Sequence, residues 1–83
     1  MASFSVQAVF EPGGVLAIVG QVSAGPVCVG QKTNLGGQTF TLSRIEKKHQ
    51  IVSQAETGDM VGLFFDGFTN KSAVASGQTL ELH

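Results

Sequence analysis

Apolar residues along this chain recur at every second position, and no stripe of helical period appears, so the pattern predicts strands throughout. Phe4, Val6, Ala8 and Phe10 alternate with Ser5, Gln7 and Val9 as a half-buried first strand. Glu11-Pro12-Gly13-Gly14 is a turn cluster, and Val15 to Val22 is a second strand rich in β-branched residues with Gly20 near its middle. Val27 to Gly30 is a short extended piece leading to Lys32 to Leu35. Gly36-Gly37 then predicts a two-residue hairpin turn with positive φ at both positions. The returning strand, Gln38 to Ile45, turns Phe40 and Leu42 one way and Thr39, Thr41 and Ser43 the other. Lys47-Lys48-His49 forms a polar corner before Ile51-Val52 and the polar stretch Ser53 to Thr57.

Thr57 to Gly67 is the most informative segment. A Gly-Asp turn feeds an apolar run that a second Asp-Gly turn closes. The run is too short for a helix and too apolar for a solvated edge, so it reads as a buried strand. Gly62 inside it predicts a bulge, a sharp bend or a close backbone approach. Thr69 to Ala75 reads as one loose helical turn or a loop, and Gly77-Gln78 turns into a last strand, Thr79 to Leu82. Six or seven short strands with turns every eight to twelve residues describe an all-β domain spanning residues 1–83. Closure into a small antiparallel barrel removes the edges that an open sheet would expose.

The order and punctuation of these steps resemble the β-barrel second domain of translational GTPases such as elongation factor Tu. Phe4-x-Val6-x-x-Val9-Phe10 with Val15 to Gly20 looks like that domain's opening, and Gly25-x-Val27-x-Val29-Gly30 like its next step. Ile45-Glu46 is similar to its Val-Glu step. Gly58-Asp59-x-Val61-Gly62-Leu63 matches its Ala-Gly-Asp-x-Val-Gly-Leu signature in all but the first position, and Gly77-Gln78-x-Leu80 resembles its closing step. The resemblance covers Phe4 to Leu82 and implies a Greek-key barrel of six or seven strands. In that family an acidic pair precedes the Val-Phe step and helps hold the aminoacyl end of transfer RNA; here those positions are Gln7 and Ala8. The family's loop arginine is missing from Glu11-Pro12-Gly13-Gly14, and Met60 stands where it has asparagine. Phe10 and Glu46 remain of the residues associated with that pocket. No Gly-x-x-x-x-Gly-Lys-Ser/Thr loop is present, so the barrel is expected to stand free of a GTPase domain and to take no nucleoside triphosphate.

Composition narrows the function. Of the 83 residues 42% are hydrophobic and only 13% charged, which leaves room for an apolar contact patch. A formal net charge of −1 lacks the basic excess of a general nucleic-acid binder. One cysteine, Cys28, forms no internal disulfide. With no secretory leader and no apolar stretch of spanning length, the expected location is cytoplasmic.

Cys28, His49 and Asp59 have local explanations in strand and turns, and His49 and His83 lack metal-ligand spacing, so neither a catalytic set, a metal nor another cofactor is expected. Arg44, Lys47, Lys48 and His49 gather positive charge near Glu46 as a candidate phosphate-binding corner. In Phe64-Phe65 one ring of the pair must face outward, where a loop, a partner or a base would cover it, and Phe68 extends the same region. The expected function is therefore a non-enzymatic binding or adaptor module. It meets another protein, or itself, through Met60, Phe64, Phe65 and Phe68, with no membrane partner. The alternative is RNA binding in translation through Phe10, Arg44, Glu46, Lys47, Lys48 and His49.

Overall fold

A computed structural model describes residues 2–83. Nine strands follow in order: β1 (Ala2–Phe10), β2 (Ala17–Ala24), β3 (Val27–Cys28), β4 (Lys32–Leu35), β5 (Gln38–Lys47), β6 (Gln50–Val52), β7 (Gln54–Ala55), β8 (Met60–Phe65) and β9 (Thr79–Leu82). The main sheet runs β4-β5-β8-β2-β1-β9, with β6 on the flank of β5, and all its pairs are antiparallel. Its two ends meet where Lys32 and His83 exchange reciprocal backbone hydrogen bonds of 3.0 and 2.9 Å. That contact makes the sheet a nearly closed barrel. β8 between β5 and β2, and β9 beside β1, are the non-sequential neighbours a Greek-key barrel requires.

The expected Gly36-Gly37 turn is present: Leu35 pairs with Gln38, and the glycines adopt φ of 61° and 88°. Thr69 to Ala75 contains one 3-10 turn, Lys71–Ala73, started by Asn70, whose side chain accepts from the Ser72 amide. The opposite hairpin, between β5 and β6, carries the same backbone hand on side chains: Lys48 and His49 have φ of 52° and 66°.

The expected irregularity at Gly62 is corrected. β8 is a regular strand there, and a Cβ on Gly62 would make only ordinary contacts with Phe64 and Val19. The close approach belongs to Gly20, where a Cβ would overlap the backbone carbonyl of Ser5. The register shifts lie elsewhere: one skips Ser23 of β2 opposite the Ser3–Phe4 step, one skips Gln7 between Val6 and Ala8 of β1, and one skips Ser43 between Leu42 and Arg44 of β5.

Each bulge reverses which face the following residues take. Beyond Gln7, Val9 packs on the core and Phe10 points out, so the expected alternation of Phe4, Val6, Ala8 and Phe10 holds only as far as Val6. Beyond Ser43 the inward phase of Phe40 and Leu42 passes to Ile45. Fully buried Phe4, Val6, Ile18, Val22, Leu42, Ile45, Leu63 and Leu82 fill the barrel.

Candidate functional site

One level of the sheet shows how the site is made. Val9 pairs with Ile18, Ile18 with Leu63, Leu63 with Ile45, and Ile45 with Val52, and all five side chains pack into the core. Side chains one residue away must therefore face outward. That outward set begins with the row Ala8, Val19, Gly62, Glu46 and Ile51, each paired with the next. Phe10 with Ala17, and Phe64 with Arg44, lie one step along the strands, and Val15, ahead of β2, lines one hollow with Arg44 and Phe64.

Phe10 is 56% exposed, Val15 52%, Met60 47% and Ile51 70%. Gly62 leaves the middle of this face without a side chain. These exposed apolar residues are spread round the outer wall of the barrel, with Arg44 and Glu46 as the charged members of the same outward rows.

Those two charges satisfy each other. The Arg44 guanidinium lies 3.2 Å from the Glu46 carboxylate and 4.0 Å above the centre of the Phe64 ring. The outward ring of the Phe64-Phe65 pair is thus Phe64, and its cover comes from within the chain. A half-exposed pair of this kind contributes little net energy, roughly 0–1 kcal/mol, so Arg44 serves chiefly as a lid on the ring. Its Nε is enclosed and has no hydrogen-bond partner.

The aromatic interface expected at Phe64, Phe65 and Phe68 is accordingly corrected: all three are buried, only 5–6% exposed. Phe65 belongs to the core, and Phe68 meets Phe40 edge-on with ring centres 5.2 Å apart. A shallow hollow of about 470 Å³, lined by Val15, Ser43, Arg44, Asp66 and Thr69, lies over this cluster. Met60 alone of that expected set is exposed, and the Gln7 amide lies 3.9 Å from its sulfur.

The candidate RNA-contacting residues divide. Phe10, Arg44 and Glu46 share the outward face. Lys47 is drawn aside into an ion pair with Asp59 at 3.1 Å, leaving Lys48 and His49 exposed in the hairpin turn. Asp59 is held below the usual carboxylate range, first by the Glu56 amide that donates to it at 2.9 Å and then by Lys47. Among the described residues no cluster of His, Cys, Asp and Glu is arranged to hold a metal, and no helix is long and apolar enough to cross a membrane.

Ile51 and Val15 are the members of this face that the sequence reading passed over. The signal for Ile51 was available. Ile51-Val52 is an adjacent apolar pair, and the rule that turns one of Phe64-Phe65 outward also turns one of these outward.

No protein-family model matches the chain, and no curated protein matches it either.

Proposed function

We propose that this protein is a non-enzymatic binding module that docks another protein against the outer face of β1, β2, β8, β5 and β6. The observation that carries this reading is the collection of Phe10, Val15, Met60 and Ile51, each about half exposed or more, on one side of a single sheet. Isolated exposed apolar residues are ordinary on a protein surface, whereas several on the outer wall of one small rigid barrel give a partner apolar area to cover. Arg44 and Glu46, which lie among the outward rows, are already paired with each other. Kinship with the second domain of translational GTPases is part of the proposal. It rests on the order of the glycine and valine steps and on a barrel of the implied kind.

RNA binding on the same face is the second reading. Phe10 offers an aromatic surface on the outer side of β1, Arg44 and Glu46 lie three strands away on β5, and Lys48 and His49 stand in the β5–β6 turn.

Affinity capture with the 83-residue chain, identifying both protein and RNA, separates the two readings. The expected result is a protein partner that survives high salt and is lost with Phe10→Ser plus Ile51→Ser. Recovery of RNA that is lost in salt and with Lys47→Ala plus Lys48→Ala would overturn it in favour of RNA.

A further inference from the structure

We infer that the seam between β4 and β9 is a binding site for an extended peptide of another protein, which adds to the barrel as a short strand. The seam uses other elements than the outer wall of β1, β2, β8, β5 and β6, so the two sites stand or fall separately.

The seam is joined at one end only. Lys32 and His83 exchange both backbone hydrogen bonds there, which shows where each strand edge points. Backbone polar groups of a strand turn to alternate sides with period two. Glu81 and Thr79 of β9 therefore turn their amides and carbonyls toward β4, as His83 does, and Asn34 of β4 turns its own toward β9. Glu81 bears this phase out, because its carbonyl accepts a hydrogen bond of 2.7 Å from the Thr33 hydroxyl.

A regular antiparallel pair would continue with Asn34 bonded to Glu81. Instead a side chain takes the Glu81 carbonyl, and among the described residues no backbone hydrogen bond joins Asn34 to β9 or Thr79 to β4. The strands part at this level. A cavity of about 340 Å³ fills the opening, with Lys32 and Asn34 on one wall, Thr79 and Glu81 on the other, and buried Thr33 and Leu80 between them.

Its chemistry is that of an unfinished ladder. The amides of Asn34, Thr79 and Glu81 and the carbonyls of Asn34 and Thr79 line two strand edges at a repeat of about 6.7 Å, which an extended polypeptide matches group for group. Thr33, Leu35 and Leu80 are buried beneath, so the inward residue of the occupant must be small. One charge of each sign, Lys32 and Glu81, flanks the opening, which favours a peptide without strong net charge. About three or four backbone hydrogen bonds of ordinary net strength give a short peptide a dissociation constant on the order of 1 mM.

Titration of the isotope-labelled whole protein with acetyl-Thr-Ala-Thr-Ala-Thr-amide to about 10 mM, followed by amide chemical shifts, tests this across the expected constant. The amides of Asn34, Thr79 and Glu81 should shift and saturate together. The same peptide N-methylated at alternate amides keeps its side chains and loses its donors, and should bind about tenfold more weakly. Thr79→Pro deletes an amide that pairs with no backbone carbonyl, and should weaken binding about tenfold with the thermal melt retained. If that variant melts early, the N-methylated peptide on the unaltered protein decides alone.

No shift at these three amides, or equal binding of the N-methylated peptide, overturns the inference. Shifts of the same amides that grow with protein concentration before any peptide is added assign the edge to a second copy, and overturn it too. Neither result touches the outer wall, whose partner is read through Phe10 and Ile51.

Discussion

The inner and outer faces of the same five strands carry comparable side chains to opposite ends. Inward, Val9, Ile18, Leu63, Ile45 and Val52 pack against one another, with Ile18, Leu63 and Ile45 fully buried. Outward, Phe10, Val15, Met60 and Ile51 remain about half exposed or more, although each is as apolar as its inward neighbour. Burial accounts for the first set through the area removed from water, roughly 25 cal/mol per Å². Folding of a single chain leaves the second set unaccounted for. The lesson is that hydrophobicity alone does not distinguish core from contact surface here; the phase of each strand does.

This contrast can be broken in graded steps. Leu63→Ala, at the centre of the inward row, should cost about 2–5 kcal/mol in chemical denaturation. Ile51→Ala, one pair along the outward row, should change stability by less than about 0.5 kcal/mol and show its effect only in association. Equal costs for the two would erase the distinction.

The two interior glycines sharpen the same point. Gly20→Ala drives a methyl into the Ser5 carbonyl and should destabilise by about 3 kcal/mol, whereas Gly62→Ala should cost less than about 1 kcal/mol. Thermal melts of the two variants side by side decide whether the close approach lies in β2 or in β8.

A smaller effect is expected at the β5–β6 hairpin. His49→Gly relieves a left-handed backbone on a β-carbon and should raise stability by about 0.5–1 kcal/mol, measurable as a shifted denaturation midpoint. The smallest effect concerns pH. Because Asp59 is depressed in the folded state, its contribution is complete above the ordinary aspartate value of about 3.9 and is lost as pH falls through the lower folded value. Acid titration of stability should therefore be shallower in Asp59→Asn below about pH 4, with the two curves parallel above about pH 5. Parallel curves throughout would show that the Glu56 and Lys47 contacts do not persist in solution.

Much of the barrel was legible in the residues. Gly36-Gly37 specifies its turn because few other residues enter that backbone region freely. The paired turns around Thr57 to Gly67 bound β8, and the period-two apolar pattern is enough for an all-β domain. The candidate site was legible only in part. Phe10, Met60 and Glu46 were singled out and lie on the outward face. Phe64, Phe65 and Phe68 were singled out as an interface in which one ring of the pair faces outward; Phe64 does so, but Arg44 covers it, and all three are buried. The β5 bulge at Ser43 brings Arg44 over Phe64, and the chain after β8 brings Phe68 onto Phe40. Neither event leaves a local signature.

By itself the sequence determined the strand content, the tight turns and the segments that must be extended, because φ/ψ preference and side-chain alternation are local properties. Only the tertiary structure decided which phase each strand takes and which aromatic rings reach solvent. A bulge shifts phase by one residue, and its position is set by how neighbouring strands must bend to close the barrel. Phe10 on the surface and Phe65 in the core differ in that respect, and hardly at all in chemistry.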